Sequence, residues 1–461
     1  MFKRNIWIPL LITVLVAIPL LLALARHPSL ANIIAITALV VLLPIFLFNF
    51  ETGFWLLIAI RPTLDAFSDV GIVSFGPYLL NLSSVVGVVA TVWAITYLIS
   101  RRTYFWRQPL FWPFLVFTLL SVTSLAYTIS AADTFREVVR IVSIFLIFLL
   151  AGAMVTTRTK FYLFLRAVMW SAIIPLAVGF YQLLTRTGLN YGELDNRIYG
   201  TLVHPNAFAL YLALILGVGL TYWISHKQRL NKWLLVGLIA AAIELLLTFT
   251  RGGWIGLAII LIILGIRYYR KLVIKLGIIA LLIVVLSPII TRLVFNYFDY
   301  DLSRNQIVRR LTVDSDSESS MDWRLKLWTE MSRKISDKPI QGYGLGAFPI
   351  LREQYVKGFF ESTEAHNDYL RLVIELGILG LGSYLILLGS SIYIFCRRFL
   401  ITLRQHKEDA WLLGGLAIML AFIVMSFFEN VIQGTAAMWL LWSLVAAILN
   451  RSSWVVTRGR N

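Results

Sequence analysis

Long, almost uncharged apolar runs restrict the folds open to this chain more than any other feature of its sequence. A transmembrane α-helix needs about 17–25 consecutive apolar residues, and runs of that length recur along most of the 461 residues. Hydrophobic residues make up 59% of the chain and charged residues 14%, whereas a soluble protein carries about a quarter charged residues. The sequence therefore predicts an all-α polytopic membrane protein with about 12–14 transmembrane helices.

The predicted spans cover most of the chain, and one of them is weaker than the others. Arg61, Pro62 and Asp65 interrupt the segment 53–67. It is counted as a span because the charges of the loops are then consistent along the chain. The predicted spans are 5–24, 30–49, 53–67, 78–99, 109–127, 139–155, 160–184, 206–224, 233–249, 253–268, 273–291, 369–395, 411–428 and 435–450.

Lysine and arginine cluster in the short loops on one side of these spans. The loops 100–108, 225–232 and 396–407 are strongly basic, as are both ends of the chain. The positive-inside rule assigns these loops and both termini to the cytoplasm. The net charge of +17 is then mainly a signal of topology, and a nucleic-acid partner is not expected.

The spans and loops divide the chain into four regions. Residues 1–184 hold N-terminal transmembrane helices, and 185–291 hold further helices with arginine-bearing outward loops. Residues 292–368 form one large outward-facing loop with short helices, and 369–461 hold the C-terminal helices and a cytoplasmic tail. A loop as long as 292–368 is usually functional rather than a plain connector.

Three polar side chains stand on the predicted outer side, where the positive-inside rule makes arginine uncommon. His366 lies where the large loop re-enters the membrane, Arg251 occupies a short turn between two apolar helices, and Arg197 precedes another helix. Each has a structural alternative, since a histidine can cap a helix and arginines can anchor in headgroups. Together they suggest a site for a phosphorylated substrate with a proton to move.

The residues around His366 resemble the O-antigen ligase and polymerase superfamily of membrane glycosyltransferases. That family has a histidine followed by Asn, Ser or Gln, nine residues, and Gly-x-x-Gly. Here the pattern is His366, Asn367, nine residues and the glycines of 377–380. The resemblance covers most of the chain from about 190 to 430, including the arrangement of spans and the late, large loop.

Three arginines match further features of the family. Arg251 lies in a short outward turn after a long apolar helix, and Arg197 precedes a Pro-Asn helix start at 205–206. A weaker match is Arg324, which stands in the large loop ahead of a tryptophan and a P-x-x-G-x-G turn at 339–346.

The resemblance implies transfer of a glycan from a polyprenyl (undecaprenyl) diphosphate carrier to a sugar hydroxyl of a glycan or glycolipid acceptor. It implies a location on the outer face of the bacterial cytoplasmic membrane and no need for a metal or cofactor. Ligases, polymerases and protein-glycosylating members share these residues, so the acceptor stays open. The implied roles are catalysis by His366, diphosphate binding by Arg197, Arg251 and Arg324, and support by Asn367, Asn206, Gly252 and Gly253.

The residue types suit this chemistry. Breaking a sugar–diphosphate bond develops negative charge on the leaving group, which guanidinium groups bind bidentately and stabilise. The acceptor hydroxyl loses a proton as it attacks, and a histidine is able to accept that proton near neutral pH.

Two other function classes stay open at the level of sequence. Asp-x-Asp pairs in the large loop, at 299–301 and 314–316, are the kind that hold divalent metal in some glycosyltransferases. Many spans with embedded charges are also compatible with a transporter, although the polar residues gather on one face rather than at mid-membrane. Within the spans, Arg371 and Glu375 are predicted to form a structural pair, and Glu244 either orients an arginine or pairs.

Overall fold

A computed structural model describes a large part of the chain and places it in helices. The predicted span 5–24, nearly all of 30–49, almost all of 273–291 and both Asp-x-Asp pairs lie outside the described residues. The structure describes residues 49–68, 71–75, 78–100, 104–191, 194–226, 232–271, 274–275, 322–356, 363–406 and 409–457.

The described chain is almost entirely α-helical, which confirms the predicted fold class. Among the described residues, five helical segments are long and apolar enough to cross a membrane: Ala131–Met154, Arg158–Thr185, Pro205–Ser225, Arg251–Tyr268 and Asp368–Arg404. In chain order the helices are α1 Phe50–Leu64, α2 Leu82–Ser100, α3 Phe111–Thr123, α4 Ala131–Met154, α5 Arg158–Trp170, α6 Ile173–Thr185, α7 Pro205–Ser225, α8 Lys232–Leu247, α9 Arg251–Tyr268, α10 Asp322–Ser332, α11 Ala347–Tyr355, α12 Asp368–Arg404, α13 Ala410–Met425 and α14 Thr435–Thr457.

Short non-α elements connect some of these helices. Single 3₁₀ turns occur at Asp65–Phe67, Phe105–Arg107, Ser124–Ala126 and Arg333–Ile335. Two small antiparallel hairpins, which the apolar pattern does not predict, pair β1 Gly71–Phe75 with β2 Tyr78–Asn81 and β3 Leu189–Tyr191 with β4 Leu194–Arg197.

Two predicted spans differ in detail from the helices observed. The span 160–184 is divided into α5 and α6 by a turn at Ser171 and Ala172. The weak segment 53–67 does form a helix, in which Arg61 is buried. Its guanidinium donates to Asp65 Oδ1 at 2.6 Å and lies 5.2 Å from the centre of the Trp439 ring. The charge is thus paired inside the bundle rather than exposed to lipid.

Helices pack closely where glycine removes a side chain from the contact. A Cβ on Gly253 of α9 would lie 2.7 Å from the Cβ of Ala209 on α7. A Cβ on Gly256 would lie 2.6 Å from the sulfur of Met425 at the end of α13. Because these distances leave no room for a methyl group, α9 is seated directly against its two neighbours.

Basic residues of α14 and α5 lie close together and pair with acidic residues of other segments. Arg451 in α14 donates to Asp409 Oδ2 at 2.6 Å, and its guanidinium lies 5.4 Å from the centre of the Phe161 ring near the start of α5. Lys160 pairs with Glu51 at the start of α1, with 3.1 Å between Nζ and Oε2. Basic residues near the end of α14 and at the start of α5 thus lie together, and the side of the membrane on which they lie stays a prediction.

The described part of the large loop has its own small hydrophobic core. Trp323, Leu327 and Met331 of α10 pack with Phe348 of α11 and with Ile374 of α12. This core attaches α10 and α11 to the first turns of α12. His366 lies just before that helix, two residues ahead of Asp368.

Candidate active site

Arg197 is held at the start of α7 by hydrogen bonds from its guanidinium. Its Nε donates to the carbonyl of Thr248 at 2.9 Å, and its Nη2 donates to Asn206 Oδ1 at 3.0 Å and to Thr250 Oγ1 at 3.2 Å. Arg197 is buried, with 4% of its surface exposed. These bonds join the loop before α7 to the turn between α8 and α9, and they give the positive charge a fixed position.

The connection that contains Arg197 is itself anchored to the bundle. Gln182 of α6 accepts from the backbone N–H groups of Tyr199 and Gly200, both at 2.9 Å, and donates to the Gly200 carbonyl at 3.0 Å. Thr201 donates to the carbonyl of Pro62 at 2.8 Å. The loop that ends at α7 is thus tied to both α6 and the end of α1.

Arg251 is the first residue of α9 and lies beside the same cluster. Gly252 faces Glu429, whose Cγ would be 3.4 Å from an added Cβ, while Gly253 faces α7. An added Cβ at Gly252 would make only an ordinary contact, whereas one at Gly253 would lie 2.7 Å from the Cβ of Ala209, so Gly253 is the glycine that this close approach requires.

Glu429, in the connection between α13 and α14, is the carboxylate to which the cluster is joined. Asn206 Nδ2 donates a hydrogen bond to Glu429 Oε2, and the same oxygen lies 3.2 Å from His366 Nδ1. The other oxygen, Oε1, is 3.8 Å from Arg324 Nη2. Only 6% of the Glu429 side chain is exposed, so its charge is offset by these partners rather than by water.

His366 is positioned by the residues on both sides of it. The Trp328 indole donates to the carbonyl of Ala365 at 2.6 Å. Asn367 caps α12 by accepting from the backbone N–H groups of Tyr369 and Leu370, both at 3.0 Å. The alternative that His366 caps this helix is therefore wrong, because Asn367 fills that position.

The backbone of His366 is in the left-handed region, with φ at 46°. This conformation is uncommon for a residue with a side chain, and it persists where the surroundings impose it. Its ring packs edge to face with Trp323, with 5.6 Å between ring centres, and 16% of the side chain is exposed. His366 is thus held in place but remains partly open to a substrate.

Arg324 reaches the cluster from α10 in the large loop. Its guanidinium lies 5.5 Å from the centre of the neighbouring Trp323 ring, and 14% of the side chain is exposed. At 3.8 Å, its separation from Glu429 is an ion pair without a good hydrogen bond.

The first glycine of the His366 pattern is a break in α12. Gly377 has φ 63° and ψ −167°, outside the helical range, which interrupts the helical hydrogen bonds at this point. The glycine-rich turn 339–346 docks there: the N–H groups of Tyr343 and Gly344 donate to the carbonyls of Ile374 and Glu375 at 3.1 and 2.8 Å. The predicted span 369–395 is therefore two helical segments, and the break receives the large loop.

Burial and charge act together on the titratable groups of the cluster. Burial, with Arg197 as the next contribution, lowers the pKa of His204 to about 4. Burial alone would raise the pKa of Glu429, but the hydrogen bond from His366 and the positive charge of Arg324 bring it below its ordinary value. At neutral pH, Glu429 is a carboxylate and His204 is uncharged.

Comparison with known proteins places part of the chain in a family. Residues 236–385 match the family model described as O-antigen ligase. This segment of the chain is therefore similar to the O-antigen ligase family. A 191-residue segment is also 26% identical to an uncharacterized protein of Haemophilus influenzae, and the match covers 39% of this chain and 47% of the relative. The chain thus spans about half the length of that curated relative.

The O-antigen ligase segment contains only part of the cluster. Arg251, Arg324 and His366 lie inside residues 236–385, whereas Arg197 precedes this segment and Glu429 follows it. The structure brings the named arginines, His366 and Asn206 to one end of the bundle. Their roles in binding and catalysis stay predictions.

Two members of the cluster were not predicted from the sequence. Glu429 stands in a short connection between two predicted spans, and His204 directly precedes the Pro-Asn helix start. His204 Nδ1 accepts from the Asn206 N–H at 3.1 Å, which makes it the N-cap of α7. A single acidic residue in a short connection between two predicted spans is the sequence feature that could have marked Glu429 as a candidate site residue. A histidine close to Asn206 is the corresponding feature for His204.

The charged residues predicted within the spans lie apart from this cluster. Arg371 Nε donates to Glu375 Oε1 at 3.0 Å, and its Nη2 lies 3.2 Å from Glu137 Oε2 on α4, so the predicted pair forms and gains another carboxylate. Glu244 is buried in α8, and its Oε2 has no hydrogen-bond partner among the described residues. Among all the residues that the structure describes, no group of three or more His, Cys, Asp or Glu side chains is arranged to hold a metal ion.

Proposed function

We propose that the protein transfers a glycan from a polyprenyl-diphosphate carrier to an acceptor sugar hydroxyl at the outer face of the bacterial cytoplasmic membrane. The observation that carries this proposal is the convergence of His366 with Arg197, Arg251 and Arg324 around Glu429. The O-antigen ligase segment supports glycosyl transfer as the class of reaction. The donor, the acceptor and the side of the membrane are part of the proposal.

The proposed reaction begins with removal of a proton. His366 accepts the proton of the acceptor hydroxyl while that oxygen forms a bond to the anomeric carbon of the donor glycan. The bond between this carbon and the diphosphate oxygen breaks, and polyprenyl diphosphate leaves with the bonding electrons. The imidazolium of His366 then releases its proton to solvent.

The arginines are suited to the charge that develops on the leaving diphosphate. Arg251 precedes the glycine that faces Glu429, and Arg324 lies 3.8 Å from the same carboxylate, so an anion bound here would meet two positive charges. Arg324 is held by Glu429 only at 3.8 Å, which leaves its hydrogen-bond donors able to turn toward a phosphate. Arg197 is fixed by its hydrogen bonds and supplies a preorganised positive charge.

The location of the cluster favours the outer face. Arg451 and Lys160 lie together at the end of α14 that is far from the connection holding Glu429, and the positive-inside rule puts such basic segments in the cytoplasm. A polyprenyl carrier would lie in the bilayer with its diphosphate at the level of the helix ends. This is the level at which α7, α9 and α12 begin.

The test is substitution of His366 in purified protein, with donor binding and transfer measured separately. His366→Asn suits the left-handed backbone, which asparagine tolerates, while removing the base. We expect transfer to fall by about 10²–10⁴-fold with donor binding retained. Wild-type transfer by His366→Asn would contradict the assignment of the base.

A chelator distinguishes the metal-dependent alternative. Every assay is run with and without the chelator, because the Asp-x-Asp pairs at 299–301 and 314–316 are possible metal ligands. Equal wild-type rates under both conditions support the proposal. Activity that is lost on adding the chelator, and restored by a divalent cation, would favour a metal-dependent transferase.

A further inference from the structure

Glu429 has a geometry that the proposed reaction does not yet use. Its Oε2 accepts a hydrogen bond from Asn206 and lies 3.2 Å from His366 Nδ1. The amide of Asn206 is oriented from its other side, because its Oδ1 accepts from Arg197 Nη2 at 3.0 Å and from Thr250 Oγ1 at 3.1 Å. The amide nitrogen must therefore face the carboxylate, and the carboxylate is held against the imidazole.

We infer that Glu429 is a positioning residue that holds His366 in the tautomer whose Nε2 accepts a proton. An ionised carboxylate has no hydrogen to donate, so the hydrogen in this contact belongs to His366 Nδ1. In a neutral imidazole, the lone pair is then on Nε2. This inference rests on the proposed role of His366 and adds the group that makes its ring competent.

The charges around His366 explain why a carboxylate is needed there. Arg324 approaches from α10, Arg251 from α9 and Arg197 from the loop before α7, while His204 is uncharged at neutral pH. The imidazolium that forms when the acceptor hydroxyl loses its proton would add a positive charge beside these arginines. Glu429 offsets that repulsion and stabilises the charge that appears on His366 during transfer.

The same position makes Glu429 a competitor for the diphosphate. Its Oε1 lies 3.8 Å from Arg324 Nη2, the guanidinium proposed to bind the donor. Removing the negative charge would leave Arg324 more attractive to an anion. Loss of Glu429 should therefore affect the two steps differently. The transfer step should become slower, whereas donor binding should be unchanged or stronger.

The experiment combines kinetics with a direct measurement of the tautomer. In Glu429→Gln we expect kcat to fall by at least about 10²-fold. We expect the affinity for a polyprenyl-diphosphate glycan to stay equal to or exceed that of the wild type. Glu330→Gln is the matched control, since that carboxylate lies on α10 with 44% of its side chain exposed. Its kcat and donor affinity should be unchanged.

The tautomer is read by ¹³C and ¹⁵N NMR of protein labelled at its five histidines, with the His366 signals assigned from the His366→Asn spectrum. We expect the Nδ1–H form in the wild type and a loss of that preference in Glu429→Gln. Glu429→Asp keeps the charge and is the variant to use if the glutamine protein does not accumulate. It should keep the Nδ1–H form.

Three results would overturn the inference. They are an Nε2–H tautomer in the wild type, an unchanged tautomer with wild-type kcat in Glu429→Gln, and a fall in donor affinity and thermal stability that accounts for the lost activity. None of these depends on whether His366 is the base. A tautomer that responds to Glu429→Gln while His366→Asn remains fully active would instead contradict only the assignment of His366 as the base.

Discussion

Substituting Gly377 by alanine tests how the large loop is coupled to the site. Gly377 has φ 63°, a conformation that residues with a side chain rarely adopt. A Cβ at this position would lie 2.1 Å from the carbonyl oxygen of Ile340. The glycine-rich turn 339–346 must then withdraw from α12, or α12 must change its break.

The expected cost follows from these contacts. A non-glycine residue in such a conformation is destabilised by about 1–3 kcal/mol. Withdrawal of the turn loses the hydrogen bonds from Ile378 N–H to the Pro339 carbonyl, at 2.9 Å, and from Gly344 N–H to the Glu375 carbonyl, at 2.8 Å. Each contributes about 0.5–1.5 kcal/mol, so the total is about 2–6 kcal/mol.

The loss should appear in stability, local protection and activity together. We expect a lower unfolding temperature in detergent, faster hydrogen exchange of a peptide covering 339–346, and reduced transfer because the loop also carries Arg324. Gly382→Ala is the matched control, since it lies in the same helix and an added Cβ has no heavy atom within 4 Å. If Gly377→Ala matched Gly382→Ala in all three measurements, the coupling argued here would be refuted.

Four further perturbations test separate parts of the structure. Arg251→Lys keeps the positive charge but loses the forked set of hydrogen-bond donors. At equal expression, transfer should fall by well over tenfold, which corresponds to about 2–4 kcal/mol of transition-state stabilisation. A fully active variant would leave Arg251 as a membrane anchor. Gly253→Ala should lower the free energy of unfolding by about 1–3 kcal/mol, because the added methyl group overpacks α9 against α7. Gly237→Ala is the control and should have no such effect, since its added methyl group meets open space. Equal effects of the two substitutions would contradict the packing argument. Because the pKa of His204 is lowered to about 4 from an ordinary 6.5, the unfolded chain binds more protons between these values, and stability should be lost as pH falls from about 6.5 toward 4. His204→Asn retains an N-cap acceptor and should flatten the dependence of stability on pH in that range. An unchanged slope would mean that other groups cause the dependence. In a cysteine-free background, Arg333→Cys should react with a membrane-impermeant reagent from outside intact cells, since 70% of this side chain is exposed; reaction only after permeabilisation would invert the topology.

The helical bundle was largely predictable because helix formation in a membrane follows from local sequence. Apolar runs of sufficient length must form helices, since each backbone N–H and C=O needs a partner within the segment. Thus α7 and α9 begin within a residue or two of the predicted spans 206–224 and 253–268.

Part of the candidate site was predictable for the same reason. His366 and Arg251 stand out in the sequence as polar residues at the ends of apolar runs, and each does lie where a helix begins. The Asn367 cap is equally local, because its oxygen bonds to N–H groups two and three residues later. The sequence by itself therefore determined which helices form and which polar side chains stand at their ends.

Only the tertiary structure decided which of these side chains meet. Glu429 contacts Asn206 across 223 residues of chain and His366 across 63, and no local pattern specifies either distance. Gly377 was visible as part of a glycine pattern, but its break in α12 is explained by the turn 339–346 that donates hydrogen bonds there. Hydrogen bonds between distant segments depend on how the whole bundle packs. For that reason the sequence determined the elements, and the packing determined the chemistry available at their ends.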